Sequence, residues 1–400
     1  MVPFEARWAP AAALANPRDG TDRLPVVAVF GTRPEAVKMA PVVAALRASG
    51  DFLPLVVVTA QHREMLDQVL SVFAITPDRD LDIMLPEQSL ADIVTRALAG
   101  LWPVLDDLRP AMVLVQGDAH TCFVGALAAY YHRIPIGHVE AGLRTADKYQ
   151  PFPEEMNRRM TTVLADLHFA PTAPARRNLL REGIAPERVV VTGNTVIDAL
   201  QAIVARTPAR LPAGIPPLDG RRLVLVTTHR RENWGEPLRQ IYLALLDLLE
   251  RFSDVELVFS VHPNPAVRRV VDELLRGHPR AHLIEPPDYA PWVHLMQRAF
   301  LILTDSGGIQ EEAPALGKPV LVLRRVTERP EGVEAGTARL VGTDRERIVA
   351  EAARLLADPA AYDAMARTRN PYGDGRAAER IVEALRYFFG RRDHPPEEFR

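Results

Sequence analysis

The chain has 400 residues, of which 48% are hydrophobic and 25% charged, and its formal net charge is −3. This length favours two domains over one, and the composition is typical of a globular protein. The chain lacks the basic surplus that binds nucleic acid, and no apolar run approaches the roughly 18 residues of a membrane span, so neither partner is expected. Cys122 is the only cysteine, which excludes an intrachain disulfide and suits a cytoplasmic location.

Residues 1–24 lack a periodic pattern and are predicted to form a disordered tail. Short apolar runs then alternate with amphipathic stretches, which predicts buried parallel strands joined by helices. The strands predicted in the first half are 26–30, 53–59, 112–115, 134–139, 167–170 and 189–192. The helical stretches between them are 35–48, 61–73, 89–108, 120–132 and 153–165.

Residues 206–221 are rich in proline and glycine and are predicted to link two domains, 25–205 and 222–376. The strand pattern restarts after this linker, and a last helix is predicted from Ala377 to Phe389. The strands predicted in the second half are 223–228, 257–261, 282–285, 300–304 and 319–323. The predicted fold class is therefore α/β, with two doubly wound Rossmann-like domains that face a central cleft.

Polar residues collect directly after the predicted strands, at the sheet edge where such folds bind ligands. Each group alone has a plainer interpretation as a helix cap. The most informative is Ser306-Gly307-Gly308, which precedes a helix predicted to start at Ile309. Bare backbone N–H groups and a helix N-terminus at one point predict an anion site. The acids Glu311 and Glu312 follow in that helix, and one of them suits ribose hydroxyls, so the segment indicates a nucleotide.

Several cofactor motifs are absent from the sequence: the G-x-G-x-x-G fingerprint after the first strand, the P-loop lysine motif and H-E-x-x-H. The prediction is chemistry by acids, bases and cations, without a metal or a redox cofactor. The candidates for that chemistry are Asp118, Glu140, Glu154, His229, Arg33, Lys38 and Arg329.

Nine segments together resemble the non-hydrolysing UDP-N-acetylglucosamine 2-epimerases of bacteria. They are GTRPEAVKMAPV (31–42), TAQHREMLDQVL (59–70), HVEAGLRT (138–145), PEEMNRR (153–159), TGNTVIDAL (192–200), THRREN (228–233), TDSGGIQEEAPALGKPV (304–320), TERPEGVEAGT (327–337) and NPYGDG (370–375). The resemblance spans roughly 25–388. It implies the two-domain glycosyltransferase-B fold, a C-terminal helix (about 377–400) that returns to the first domain, and a homodimer. It also implies interconversion of UDP-GlcNAc and UDP-ManNAc for cell-surface polysaccharide biosynthesis.

The resemblance also assigns site residues, where the motifs match. The implied catalytic residues are Asp118, Glu140, Glu154 and His229. The implied UDP-sugar contacts are Arg33, Lys38, Trp292, Ser306, Gly307, Gly308, Glu312 and Arg329. A second, regulatory nucleotide-sugar site would use Gln61, His62, Arg63 and His262. Ala119 and His120 depart from the usual H-G-D-T pattern, and Pro287 stands where a glutamine is common.

The C2 hydrogen of the sugar is not acidic until UDP leaves C1, so the expected route passes through a bound 2-acetamidoglucal, with carboxylates moving the proton. The sequence does not rank the three acids. Plainer interpretations are a solvated helix start for Glu154 and Glu155, and ion pairs that hold loops for Arg144 and Arg158. Three other functions stay open: a hydrolysing epimerase that releases ManNAc and UDP, a glycosyltransferase of the same fold, and a regulator that binds nucleotide sugar without turnover.

Overall fold

A computed structural model describes residues 22–61, 63–145, 147–208 and 211–400, so nearly all of the predicted tail lies outside the described residues. The chain divides into two compact units. The first comprises the chain up to Ala199 together with Gly373–Arg400, and the second is Leu200–Tyr372. Each unit holds one all-parallel sheet whose strands alternate with helices, which confirms the predicted class of two Rossmann-like α/β domains.

The described part of the first unit has a seven-stranded sheet in the order β3-β2-β1-β4-β5-β6-β7. Its strands are β1 (Leu24–Phe30), β2 (Phe52–Val58), β3 (Arg79–Asp80), β4 (Met112–Gln116), β5 (Ile136–Val139), β6 (Leu167–Ala170) and β7 (Val189–Val191). Its helices are α1 (Arg33–Ser49), α2 (Arg63–Val72), α3 (Leu90–Leu108), α4 (His120–Tyr131), α5 (Glu154–Leu164), α6 (Ala173–Arg181), the start of α7 (Thr195–Arg206) and α15 (Ala377–Phe388).

The described part of the second unit has a six-stranded sheet in the order β10-β9-β8-β11-β12-β13. Its strands are β8 (Arg222–Thr227), β9 (Val255–Ser260), β10 (Ala281–Ile284), β11 (Leu301–Thr304), β12 (Val320–Val322) and β13 (Ala338–Leu340). Its helices, besides the rest of α7, are α8 (Glu236–Arg251), α9 (Pro265–Leu274), α10 (Tyr289–Arg298), α11 (Gly307–Ala315), α12 (Pro330–Ala335), α13 (Arg345–Ala357) and α14 (Pro359–Ala366).

The strand order reverses once in each sheet, between β1 and β4 in the first and between β8 and β11 in the second. Loops on either side of such a switch point diverge and leave a crevice at the carboxyl ends of the strands. The polar groups that follow these four strands begin at Gly31, Gly117, Thr228 and Asp305. The topology therefore directs the predicted site residues to the crevice of each sheet.

The strands form because their residues suit burial on both faces. Strand β1 reads LPVVAVF, and its last six residues are buried, as expected for a central parallel strand. Helix α3 packs against the same core with a stripe of apolar residues four apart, Ile93, Ala97, Leu101 and Leu105. Burying each larger side chain of this kind contributes roughly 1.5–3 kcal/mol.

Gly31 lets β1 turn into α1 at the switch point. A Cβ at this residue would lie 1.9 Å from Thr59 Oγ1 and 2.6 Å from Thr121 Oγ1, so no larger residue fits without movement. Helix α1 then starts with a capping box, in which Glu35 Oε2 accepts hydrogen bonds from the backbone and hydroxyl of Thr32 at 2.8 and 2.7 Å. Close packing and the cap together fix where Arg33 begins the helix.

The structure differs from the sequence predictions at three elements. Strands β3 and β13 were not predicted, because β3 is two exposed charged residues and β13 is only three residues long. Helix α11 begins at Gly307, two residues before the predicted start at Ile309, because Ser306 occupies its N-cap and both glycines adopt helical geometry. The described residues of the predicted linker form no strand, and of them only its first residue is helical.

The C-terminal residues belong to the first unit, where polar contacts anchor α15. The backbone N–H groups of Ala377 and Ala378 donate to the Asp198 carboxylate at 3.2 and 2.8 Å, and Arg380 donates to the Thr192 carbonyl at 3.0 Å. The Asp198 carboxylate thus satisfies donors that a helix start leaves open. Among the described residues, none of the helices combines enough length with enough apolar character to cross a bilayer.

Candidate functional site

The acid cluster is our name for two contact groups of the first unit, Glu140 with Lys38, Gln116 and Asn194 and Asp118 with Arg158, together with Glu154 at the start of the helix of Arg158. Glu140 is 8% exposed and follows β5 with a φ of 65°. It accepts hydrogen bonds from Lys38 Nζ at 2.5 and 2.7 Å, from Asn194 Nδ2 at 3.0 Å and from Gln116 Nε2. A left-handed conformation costs a non-glycine residue about 1–3 kcal/mol, so these contacts hold the carboxylate in a strained but fixed position.

Lys38 differs in its contacts from the expectation based on the resemblance. It was expected to contact the UDP-sugar, and in the structure its ammonium forms an ion pair with Glu140. Arg33, one turn earlier in α1, is half-buried, and no ion pair joins its side chain to a described residue. Within this unit, Arg33 therefore offers the charge for a ligand anion, while Lys38 balances the charge of the acid cluster.

Asp118 follows β4 and forms a charged pair with α5. Its Oδ2 lies 2.5 Å from Arg158 Nη2, and its backbone carbonyl accepts from Asn157 Nδ2 at 2.9 Å. The predicted ion pairs of Arg144 and Arg158 are confirmed, since Arg144 pairs with Glu182 at 2.7 Å. The partner of Arg158 is itself a candidate acid, however, so Arg158 belongs to the site, which the sequence did not indicate.

Glu154 and Glu155 begin α5 and occupy different environments. Glu155 is fully buried and accepts from the Thr145 backbone at 3.0 Å and from Arg159 Nε at 2.7 Å. The interpretation of both acids as a solvated helix start is therefore wrong for Glu155. Glu154 is half-buried, and its Oε2 is inaccessible to solvent and has no hydrogen-bond partner among the described residues. Glu154 thus presents a buried carboxylate oxygen that none of the described residues engages.

Sequence reasoning missed three residues of this region: Glu35, Gln116 and Asn194. Burial, with a smaller effect of the Asp118 charge, raises the pKa of Glu35 to about 7. The hydrogen bonds from Thr32 and Gly31 act in the opposite direction and lower it. Glu35 could have been found from the T-x-x-E pattern that it forms with Thr32, which is typical of a capping box at a helix start. Gln116 directly follows a predicted strand and Asn194 lies in a segment that carries the resemblance, but only the fold shows that they contact Glu140.

In the second unit, Asp305 organises the loop that carries His229. This buried carboxylate accepts from the backbone N–H groups of His229 and Arg230 at 3.0 Å, and from Asn233 Nδ2 at 3.0 Å. His229 Nδ1 lies 3.2 Å from the same carboxylate. Burial lowers the pKa of His229 although the Asp305 charge opposes this, so the imidazole is neutral near pH 7 in the empty protein.

The residues predicted for a regulatory site have separate surroundings. His262 stacks on His229 in the second unit, with ring centroids 6.0 Å apart. Gln61 and Arg63 belong to the first unit. Gln61 accepts from Thr121 at 3.3 Å, and Arg63 pairs with Asp67, Asp80 and Asp82. His62 lies outside the described residues, and the regulatory site stays a prediction.

The Ser306-Gly307-Gly308 turn lies where β11 passes into α11. The Ser306 side chain makes no capping hydrogen bond, so the first N–H groups of α11 keep no partner from it. A Cβ at Gly307 would lie 2.9 Å from Glu328 Oε1 and 3.8 Å from Arg230 Nη2. Arg230 and Glu328 pair at 2.7 Å beside this turn. A phosphate group at this helix N-terminus would compete with the Glu328 carboxylate for Arg230.

The remaining predicted nucleotide contacts lie on α10 and α11 or pair with them. Tyr289 donates to Glu312 Oε2 at 3.3 Å, and Trp292 lies half-buried on the same helix as Tyr289. Arg329, expected to contact UDP, pairs with the buried Glu311. Among the described residues, no group of three or more histidine, cysteine or acidic residues is arranged to hold a metal ion.

Comparison with known proteins links these sites to one family. The family model for UDP-N-acetylglucosamine 2-epimerase matches residues 44–386. The UDP-N-acetylglucosamine 2-epimerase of Escherichia coli K12 is 55% identical over 368 residues, which is 90% of this chain and 98% of that protein.

Two solved structures are similar along nearly their whole length. Staphylococcus aureus MnaA with UDP is 47% identical with a TM-score of 0.85, and the match covers 94% of this chain and 100% of that one. The UDP-GlcNAc 2-epimerase of Neisseria meningitidis, bound to UDP-GlcNAc, is 49% identical with a TM-score of 0.82 and covers 90% and 99%. Fold, motifs and these matches agree, and the chain is a member of the UDP-N-acetylglucosamine 2-epimerase family.

Proposed function

We propose that this chain interconverts UDP-GlcNAc and UDP-ManNAc and keeps the nucleotide attached in the product. The observation that carries the proposal is the acid cluster, where Glu140 pairs with Lys38, Asp118 pairs with Arg158, and Glu154 begins the helix that carries Arg158. Binding alone would not need several acids, whereas moving a proton between two faces of a carbon needs one or two acid/base groups. Family membership supports the substrate, since relatives were solved with UDP-GlcNAc and with UDP.

The proposed reaction begins with loss of UDP from C1. The C1–O bond electrons leave with the diphosphate, the electron-poor centre at C1 makes the C2 hydrogen acidic, and its removal gives 2-acetamidoglucal. UDP then adds back to C1 as a second acid of the cluster gives a proton, taken up from solvent, to the other face of C2. The fixed charges of Glu140 and Asp118 offset the developing positive charge. Glu154, whose Oε2 has no partner among the described residues, is the acid that moves a proton.

The second unit would hold the departing diphosphate. The N–H groups at Gly307 and Gly308, which the Ser306 side chain does not cap, and Arg230 in exchange for its pair with Glu328 would supply the dipoles and the cation that a diphosphate needs. His229 becomes a hydrogen-bond donor to it on protonation.

Incubation of the protein with UDP-GlcNAc in D₂O tests this function. We expect UDP-ManNAc to accumulate to equilibrium, with deuterium at C2 of both sugars, as followed by ¹H and ³¹P NMR. Free ManNAc with stoichiometric UDP would instead identify the hydrolysing reaction. Absence of deuterium at C2 would overturn the proposal and leave a glycosyltransferase or a binding protein.

We further propose that the chain acts as a homodimer through an aromatic surface formed by Trp102 of α3 and Tyr130 and Tyr131 of α4. Their side chains are 44%, 56% and 55% exposed, and Trp102 and Tyr131 contact each other with ring centroids 6.2 Å apart. Clusters of solvent-exposed aromatic side chains are typical of protein interfaces. Exposing their apolar surface to water is unfavourable, and binding of a partner buries that surface.

The Tyr131→Glu variant is expected to elute as a monomer, with the 44.3 kDa mass of one chain, where the wild type has twice that mass. A buried carboxylate without a partner destabilises the interface. Light scattering after size-exclusion chromatography measures the mass. Val326→Glu, at an apolar residue that is 72% exposed in the second unit, is the matched control and should stay dimeric. A dimeric Tyr131→Glu variant would contradict this assignment of the interface.

A further inference from the structure

His138 lies within the sheet beside the turn that precedes Asp118 of the acid cluster. It lies in β5, two residues before Glu140, and is fully buried. Its Nε2 is 2.8 Å from the carbonyl oxygen of Gly117. A carbonyl can only accept, so the hydrogen of the imidazole is on Nε2. Burial lowers the pKa of His138 to about 4, so this neutral donor persists throughout the physiological pH range.

The carbonyl that His138 holds belongs to the turn that presents Asp118. Gly117 has a φ of 72° and directly precedes Asp118 at the end of β4. The backbone N–H of Gly117 donates to the Val139 carbonyl at 2.9 Å. Both the N–H and the carbonyl of Gly117 are therefore hydrogen-bonded to residues of β5. This turn can move only if the bond from His138 is lost or lengthened.

The same two segments are joined by a side-chain contact in the other direction. Gln116, just before the turn, donates to Glu140, just after β5. The turn that carries Asp118 and the strand end that carries Glu140 are thus linked by side chains from both of them, with His138 at one link and Gln116 at the other. The link from His138 fixes one acid relative to the other, which is a role in positioning rather than in proton transfer.

His168 provides an internal contrast. It is the Cα register partner of His138 on the neighbouring strand β6 and is equally buried. Neither of its ring nitrogens has a hydrogen-bond partner among the described residues. The two histidines therefore share residue type, depth and sheet, and differ in that only His138 contacts the turn before Asp118.

We propose that His138 is a positioning residue for epimerisation: its Nε2–H bond to Gly117 sets the distance between the Asp118 and Glu140 carboxylates. This inference rests on the function proposed above. Displacement of a reacting group by about 1 Å can lower a rate roughly 100-fold. Loss of the bond should therefore lower kcat, whereas the affinity for UDP, proposed to depend chiefly on the second unit, should be retained.

Two substitutions separate the hydrogen bond from the packing. The amide nitrogen of glutamine reaches about as far as Nε2 of histidine, whereas that of asparagine reaches only as far as Nδ1. We expect His138→Gln to keep kcat within about threefold and His138→Asn to lower it about 10- to 100-fold, with KM nearly unchanged in both. His168→Asn is the matched control and should keep the wild-type kcat. Thermal unfolding and UDP titration establish that each variant is folded.

The outcomes distinguish this inference from the proposed function. If the wild type fails to place deuterium at C2, the proposed function is wrong. If the wild type is active and His138→Asn turns over as fast, or if the Asn and Gln variants lose kcat equally, the positioning role is overturned. Selective ¹⁵N labelling of histidine in the wild type is a test that needs no variant: His138 should show the Nε2–H tautomer, and an Nδ1–H tautomer would overturn the inference.

Discussion

Replacement of Glu154 by glutamine is expected to lower kcat roughly 1000-fold while the melting temperature stays almost unchanged. Glutamine has the same shape as glutamate but cannot accept the C2 proton. The unengaged Oε2 makes this the cleanest substitution in the acid cluster, because no hydrogen bond to that oxygen is broken. Initial rates of UDP-ManNAc formation and of deuterium entry at C2 measure the loss, and UDP titration should give an affinity within about threefold of wild type.

Two neighbouring acids provide controls for the Glu154 variant. Glu182→Gln removes a carboxylate from the pair with Arg144, outside the acid cluster, and should keep kcat within about twofold. Glu155→Gln removes charge from a buried group with two donors, and should cost about 2 kcal/mol of stability, seen as a lower melting temperature. An active Glu154→Gln enzyme, or one that melts as early as Glu155→Gln, would contradict the assigned role.

Replacement of His229 by asparagine is expected to lower kcat/KM about 100-fold and to abolish proton uptake on substrate binding. Burial holds the pKa of His229 below its ordinary value in the empty protein. A bound diphosphate places negative charge beside the ring and raises that pKa, so the imidazole takes up a proton. The affinity for UDP-GlcNAc should therefore increase as the pH falls through the pKa that His229 has in the complex. It should level off once the pH is below the pKa that His229 has without ligand.

Calorimetry in two buffers of different ionisation enthalpy measures that proton uptake. UDP-GlcNAc is the ligand of choice, because its diphosphate stays fully ionised near neutral pH and exchanges no proton of its own. Using the Glu154→Gln background prevents turnover during the titration. We expect uptake at pH 7.5 in this background and none once His229→Asn is added. Equal uptake in both proteins would show that another group, such as Glu35, takes the proton.

The sequence predicted the sheet cores well because central parallel strands are buried on both faces. Strands such as β1, β4 and β11 read as unbroken apolar runs, and their ends differ from the prediction by one or two residues. The edge strands β3 and β13 could not be predicted. They are short and partly or fully exposed, so neither burial nor alternation leaves a pattern in their residues.

The candidate site was predicted as a set of residues but not as a set of contacts. Asp118, Glu140 and His229 follow strand ends, where the local pattern of apolar run and polar turn is visible in the sequence. The partners of these residues are distant in the chain: Lys38 reaches Glu140 across 102 residues, and Asp305 holds the His229 loop across 76. Nothing local to Lys38 distinguishes a ligand contact from an ion pair with an acid.

By itself, the sequence determined the alternation of strands and helices, the Gly-rich turn before α11 and the acids at the strand ends, because each depends on neighbouring residues. Only the tertiary structure decided which charges neutralise one another. It paired Lys38 with Glu140, Arg158 with Asp118 and Arg329 with Glu311, and left Glu154 Oε2 without a partner among the described residues. The physical reason is that ion pairs and buried hydrogen bonds depend on separations in space, which the order of strands in the sheet sets.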